Sequence, residues 1–227
     1  MSAIEHCADL GADRNEGTWW EKRFGKMALD YGRTFTGHQW HANGQSAVAH
    51  LSGGRRWTLP DVTIWTSPGE HHEIKHKDPA SRWWAKRVKC YGLEVYRFDA
   101  LLEFRLETRT PVFYTIHDHA IAAEAGRPRS RQDPRGRVND IADWRTVEIL
   151  RLDALRRNGG AEMSTTASYV NGQRHENVPN IYWPVTEWIP LAELWARGFG
   201  AKSVADRDWL AQLQRPGVGD HRWWVDD

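Results

Sequence analysis

The chain has 227 residues, of which 40% are hydrophobic and 27% charged, and its formal net charge is +1. This length suits one domain with a sizeable core. No run approaches the roughly eighteen apolar residues of a membrane span, and the near-neutral charge excludes a globally basic nucleic-acid coat protein. The first residues lack the features of a secretory signal, and Cys7 and Cys90 form no CxxC pair. Together these features predict a reduced, cytoplasmic protein.

The N-terminal region predicts a flexible lead-in at 1–16, followed by a domain at 17–227. From Thr18 onward, apolar residues recur with helical spacing. These residues are Trp20, Phe24, Met27, Ala28 and Tyr31. Thr18 and Glu21 form a capping-box pattern, and Gly32 is a helix stop. We therefore expect a helix from Thr18 to about Gly32.

The most informative stretch predicts a β-hairpin whose two strands flank a turn at 66–69. Side chains alternate faces along a strand, so Glu73 and Lys75 share one face and Ile74 points to the other. Asp61 stands at the head of the partner strand. Pairing the strands would bring two carboxylates and one ammonium to one end of a sheet.

Two neighbouring carboxylates repel each other unless a cation lies between them, and oxygen ligands suit Mg²⁺, with Mn²⁺ as a substitute. The pattern of Pro60 and Asp61, followed by Glu73, Ile74 and Lys75, resembles the PD-(D/E)xK nuclease superfamily. Restriction endonucleases and Holliday-junction resolvases are among its members. The resemblance implies an α/β, restriction-endonuclease-like fold: a mixed β-sheet core flanked by helices, with extra C-terminal elements.

The resemblance also implies the roles of individual residues. Asp61, Glu73 and the main-chain carbonyl of Ile74 would bind Mg²⁺, and Lys75 would help to activate the attacking water. Two interpretations of Glu21 stay open, a helix-capping residue and a further acidic metal ligand. For the hairpin itself, the alternative is a surface element in which Glu73 and Lys75 form a simple salt bridge.

Basic residues follow the motif. Lys77, and Arg82 and Lys86 in a short helix predicted near 81–89, are candidates for contacts with a phosphodiester backbone. The segment at 126–137 carries five arginines among Pro and Gly, and we expect a mobile loop in which Arg129 and Arg131 contact DNA. For both segments, a solvated surface is the alternative interpretation.

The next elements complete the predicted core at about 17–117. Helical periodicity over 93–104 ends before Pro111, and the apolar run at 112–116 predicts a buried strand. Strand, helix and strand in this order predict a crossover within one sheet. In the C-terminal elaboration at 118–227, residues 144–155 are ambiguous between strand and helix. An edge strand is predicted at 181–185, because Pro184 interrupts it, and a short helix at 190–195.

The predicted function is that of a Mg²⁺-dependent endonuclease acting on double-stranded or branched DNA. Two alternatives stay open: a non-catalytic nucleic-acid-binding protein on the same fold, and a nuclease that acts on RNA. The 14 tryptophans are expected mainly in the core, with base stacking as the alternative. Because many members of the superfamily cut two strands as dimers, the resemblance also implies a homodimer.

Overall fold

The structure is a computed structural model that describes residues 10–38, 48–50, 56–65, 69–77, 83–85, 88–118, 121, 140–170 and 173–196. Within these residues the helices are α1 (Leu10–Asp30), α2 (Val95–Thr108), α3 (Ile149–Arg157) and α4 (Leu191–Ala196). The strands are β1 (Phe35–Gly37), β2 (Val48–His50), β3 (Arg56–Thr58), β4 (Val62–Ile64), β5 (Glu70–Lys77), β6 (Trp83–Ala85), β7 (Val88–Glu94), β8 (Val112–Asp118), β9 (Trp144–Glu148), β10 (Glu162–Val170), β11 (Gln173–Pro184) and β12 (Ile189–Pro190).

The central element is a six-stranded mixed sheet in the order β1-β4-β5-β8-β9-β12. Strands β4 and β5 form the predicted antiparallel hairpin, with Val62 opposite His72. Strands β5 and β8 run parallel, with Glu73 beside Tyr114. The chain passes through β6, β7 and α2 between these two strands, so the predicted crossover is confirmed. Since β9 and β12 also join this sheet, the core takes strands from beyond residue 117.

Helices pack on both faces of the central sheet. On one face, Trp20 and Phe24 of α1 form a buried cluster with Ile74 of β5 and with Leu191 of α4. On the other face, α2 and α3 share a second core with β8, whose residues are all buried. The division follows from strand alternation, because odd-numbered residues of β5 face α2 and even-numbered residues face α1. The predicted fold class, a mixed sheet flanked by helices, is confirmed.

A second sheet packs against α2, in the order β10-β11-β7-β6. Its pairs are antiparallel. Leu93 of β7 and Trp183 of β11 belong to the same buried cluster as Phe98 and Leu101 of α2. Helix α2 therefore contacts both sheets. Buried contacts on both sides hold its first turn beside the predicted motif.

The prediction of a basic helix near 81–89 is wrong. Residues 83–85 and 88–94 form the antiparallel strands β6 and β7, with Trp83 opposite Cys90. Aromatic and β-branched residues, which are frequent in this segment, favour strands. The pairing of these strands within the second sheet outweighs the capping signal at Ser81 that suggested a helix.

The edge strand predicted at 181–185 is also wrong, because β11 lies between β10 and β7. Proline lacks an N–H and is tolerated where a strand ends. Pro184 is the last residue of β11, opposite Cys90. The strand is therefore interior in spite of its proline. The ambiguity at 144–155 is resolved as β9 followed directly by α3.

The first helix begins earlier than predicted. Helix α1 starts at Leu10, so Thr18 lies inside it and is not its N-cap. Residues 10–17 contain four polar residues, two glycines and only two apolar residues, which gave no helical periodicity to detect. The boundary set at residue 16 falls within this helix. The predicted helix at 190–195 corresponds to α4.

Candidate active site

Asp61 is held at the head of β4 by the hairpin itself. It follows Pro60, is 3% exposed, and its Oδ2 accepts the backbone N–H of Ile74 at 2.7 Å. Because Val62 pairs with His72, Asp61, the residue just before β4, falls beside Glu73 on β5. The turn and the strand register thus place Asp61 next to the second half of the motif.

Glu73 and Lys75 point to the same face of β5, as the alternation predicts. Glu73 is fully buried, and its Oε1 lies 3.2 Å from the Nζ of Lys75. The side chain of Lys75 is 38% exposed, so part of this residue contacts solvent while its ammonium pairs with the buried Glu73. The side chain of Ile74 joins the core on the opposite face. The structure therefore brings together the three side chains of the predicted motif.

A fourth charged group, Arg97 in the first turn of α2, completes this cluster. Its Nε donates to Oε1 of Glu73 at 2.9 Å and its Nη2 donates to Oε2 at 2.5 Å. The same Nη2 lies 3.7 Å from Oδ1 of Asp61 and donates to the carbonyl oxygen of Leu59 at 3.4 Å. Arg97 is 8% exposed. One guanidinium therefore contacts both buried carboxylates.

Sequence reasoning missed Arg97 because an arginine in an amphipathic helix is usually solvent-facing. A signal was nevertheless present. Arg97, Leu101 and Phe104 are spaced i, i+4 and i+7, so the arginine lies on the apolar stripe that faces the core. A charged residue in such a stripe needs a buried partner, and Glu73 is that partner.

The four charges shift one another's protonation equilibria. Burial, together with the neighbouring Glu73 carboxylate, raises the pKa of Asp61 to about 7. Burial opposes the charge of Glu73 as well, but Arg97 and Lys75 outweigh it and hold the pKa of Glu73 below its usual range. Burial would lower the pKa of Lys75, but Glu73 and Asp61 outweigh this effect and raise it. At neutral pH and without a metal ion, Glu73 and Lys75 are charged and Asp61 is the group close to its titration point.

Glu21 lies on α1 and is 6% exposed. The adjacent Trp20 stacks on His76 and His117, on the face of the sheet opposite Glu73 and Lys75. In the part of the chain that the structure describes, no three or more His, Cys, Asp or Glu side chains form a group that could hold a metal ion. The structure thus does not bring Glu21 to the two acids, and its role as a ligand stays a prediction.

The predicted basic contacts are only partly visible. Lys77 is the last residue of β5, in register with Asp118 of β8. Its backbone is therefore at the same end of the sheet as Lys75. Arg82, Lys86, Arg129 and Arg131 lie outside the described residues.

The described elements form a mixed α/β fold, a mixed sheet flanked by helices, which is the architecture that the resemblance to the PD-(D/E)xK superfamily implies. The long helix and the internal strand that the resemblance implies after the Glu73-to-Lys75 strand are α2 and β8. Both the order of these elements and the placement of Asp61 beside Glu73 match what the resemblance implies. Both follow from the register of β4, β5 and β8.

No protein-family model matches this sequence, and no curated protein matches it. Among solved structures, the chain is similar to Hjc, a Holliday junction resolvase from the archaeal hyperthermophile Archaeoglobus fulgidus. The identity is 11% and the TM-score 0.39, over 80% of this chain and 96% of that one. It is also similar to D212, a nuclease from a fusselovirus, at 13% identity and a TM-score of 0.37, over 90% of this chain and 96% of that one. Roles for individual residues of this chain therefore depend on its own geometry.

Among the described residues, no helix has the length and apolar character needed to cross a membrane.

Proposed function

We propose that the chain is a metal-dependent endonuclease that hydrolyses phosphodiester bonds in double-stranded or branched DNA. The observation that carries the proposal is the convergence of two buried carboxylates and one ammonium on adjacent strands. Asp61 and Glu73 are 3% and 0% exposed, and both approach the same nitrogen of Arg97. Two carboxylates directed at one point form a site for a shared cation.

The donor set fits a hard divalent ion. Asp61 and Glu73 supply carboxylate oxygens, which suit Mg²⁺ or Mn²⁺, and the main-chain carbonyl of Ile74 is the third ligand that the family resemblance implies. A bound Mg²⁺ makes water a stronger nucleophile and offsets charge on a phosphoryl oxygen. In this proposal the ammonium of Lys75 orients the attacking water and offsets charge on the phosphate. Lys77, Arg82, Lys86, Arg129 and Arg131 position the DNA backbone.

A second candidate is a non-catalytic nucleic-acid-binding protein on the same fold. It is favoured by one observation, which is that Arg97 and Lys75 already neutralise the Glu73 carboxylate without a metal ion. A charge cluster whose carboxylate is already neutralised by side chains can serve to stabilise the fold. The two candidates differ in their need for Mg²⁺. The endonuclease requires it for cleavage, whereas a non-catalytic nucleic-acid-binding protein does not require it for binding.

A cleavage panel decides between them. Purified protein is incubated with Mg²⁺, Mn²⁺ or EDTA and with plasmid, linear, single-stranded and four-way-junction DNA, and with RNA of the same sequences. We expect metal-dependent cleavage of DNA and its loss in Glu73→Gln and Lys75→Ala. The matched controls are Glu107→Gln, an exposed carboxylate on α2, and Lys26→Ala, a lysine paired with Asp30 on α1. Binding without cleavage of any substrate would favour the second candidate, and cleavage confined to RNA would change the substrate.

Two further parts of the proposal concern the assembly and the remaining acid. The homodimer is tested by sedimentation with and without junction DNA. Glu21→Gln tests whether the acid on α1 takes part, and a loss of cleavage comparable to that of Glu73→Gln would support it. Wild-type activity in Glu21→Gln would assign this residue to the packing of α1.

A further inference from the structure

The position of Arg97 has a consequence for the metal site, and it rests on the proposed function above. Nη2 of Arg97 lies 2.5 Å from Oε2 of Glu73 and 3.7 Å from Oδ1 of Asp61. These are the oxygens that a divalent ion shared by the two acids would use. The guanidinium therefore lies between the carboxylate oxygens that a shared cation would bind.

A guanidinium and a divalent ion cannot share this position. Mg²⁺ binds carboxylate oxygens at about 2.0–2.1 Å and demands near-octahedral geometry. The Glu73 oxygens already accept hydrogen bonds from Nε and Nη2 of Arg97, a two-point contact (the Arg97 fork). Oε1 of Glu73 also lies 3.2 Å from the ammonium of Lys75. Adding two positive charges within a few ångströms of a buried guanidinium is strongly unfavourable.

We propose that Arg97 is an internal counter-ion that closes the metal-free site and leaves the carboxylates when the divalent ion binds. The exchange preserves charge compensation for Glu73 and Asp61, which are too deeply buried to be left unpaired. It also makes the protein's affinity for metal a balance between the ion and Arg97. The apparent dissociation constant for the metal is then the intrinsic constant divided by the fraction of molecules in which the contact between Arg97 and Glu73 is open.

In this proposal Arg97 leaves toward the exposed side of the first turn of α2. Arg97 lies in the first turn of α2, between Tyr96, which is 53% exposed, and the fully buried Phe98. Lys75, on the neighbouring strand, is itself partly exposed. The exchange would require only a side-chain rotation of Arg97, because Phe98 and Leu101 hold α2 in the core.

Nuclear magnetic resonance of the wild-type protein tests the exchange directly. The Nε–H of Arg97, bonded to Glu73 and almost fully buried, should give a resonance that exchanges slowly with water in EDTA. Saturating Mg²⁺ should shift this resonance and accelerate its exchange at least about tenfold, as expected for release of a closed fork. The Nε–H of Arg105, which donates to Oε1 of Glu148 at 2.7 Å, is the internal control and should not change.

Calorimetric titration with Mn²⁺ provides the second measurement. Arg97→Lys keeps the positive charge but loses the two-pronged fork. If the fork is closed in about nine-tenths of metal-free molecules, this variant binds Mn²⁺ about tenfold more tightly than the wild type. Arg105→Lys is the matched control with unchanged affinity, and Glu73→Gln is the blank for heat not due to the site.

The outcomes separate the inference from the function on which it depends. An unchanged Arg97 resonance at saturating Mg²⁺, or equal or weaker Mn²⁺ binding by Arg97→Lys, would overturn the exchange while leaving the metal site in place. Arg97 would then be a residue that positions Glu73. Wild-type heat equal to that of Glu73→Gln would instead remove the metal site, and the inference with it. Because the resonance is measured on the wild type, instability of the lysine variant does not affect the result.

Discussion

Removing Arg97 should destabilise the metal-free protein by about 3 kcal/mol, because Glu73 would stay buried without its main partner. The wild-type contact consists of two charge-assisted hydrogen bonds, at 2.9 and 2.5 Å, to a carboxylate that is fully buried. Losing one partner of a buried ion pair costs about 3–5 kcal/mol. Lys75 stays 3.2 Å from Glu73 and compensates part of the charge, which places the expected cost for Arg97→Met at the lower end.

The assay is urea unfolding in EDTA at pH 7. With a slope of about 2–3 kcal/mol per molar, a loss of about 3 kcal/mol lowers the midpoint by about 1–1.5 M. The double variant Arg97→Met with Glu73→Gln removes the unpaired charge and should recover about 2 kcal/mol of the loss. The control is Arg151→Met, because Arg151 pairs with Glu187 at 3.0 Å but its side chain is 52% exposed, and the expected cost is less than about 1 kcal/mol.

A midpoint for Arg97→Met within about 0.3 M of the wild type would refute this account, since it corresponds to less than about 1 kcal/mol. Additive effects of the two substitutions would do the same, because residues in direct contact must show a coupling energy. In either case Glu73 would be stabilised by something other than the Arg97 fork.

Three further predictions concern the packing around the site. The pKa of His71 is lowered to about 4 by burial and by the nearby His72. The folded state therefore disfavours the charged ring, and stability present above pH 6.5 is lost as the pH falls toward 4. Between pH 7 and 4.5 the free energy of unfolding should fall by about 1–2 kcal/mol less in His71→Asn than in the wild type, and an equal fall would contradict this. Gly92→Ala should cost about 1–2 kcal/mol in urea unfolding, because the added Cβ would lie 2.5 Å from the ring of Tyr182; the background Tyr182→Leu should remove most of the cost, and a cost that persists there would exclude the ring as its cause. Thr115→Val should cost about 1–3 kcal/mol, because its hydroxyl joins two buried polar side chains at 2.8 Å each, whereas the exposed Thr165→Val should be near neutral.

The part of the site that lies within one hairpin followed from local rules. Alternation along β5 put Glu73 and Lys75 on one face, and the turn returned Asp61 to their side. These relations need only the strand period and a short loop, so they are visible in sequence. The helix and strand after the motif were equally accessible, because α2 has a clear apolar period and β8 is a continuous apolar run.

Local sequence signals failed to predict secondary structure and sheet position where pairing with distant segments determines them. Residues 83–85 and 88–94 became strands because they pair with each other and with β11, which lies about ninety residues further along the chain. Likewise β11 is an interior strand only because β10 covers its other edge. Neither the capping residue at Ser81 nor the proline at 184 carries information about such partners.

The sequence alone determined that two acids and a lysine share one end of a hairpin, because strand alternation and a short turn act over fewer than twenty residues. Only the tertiary structure decided what neutralises the acids. The contact between Arg97 and Glu73 depends on how α2 seats between the two sheets. That seating is set by apolar burial summed over many distant residues, which no local pattern records.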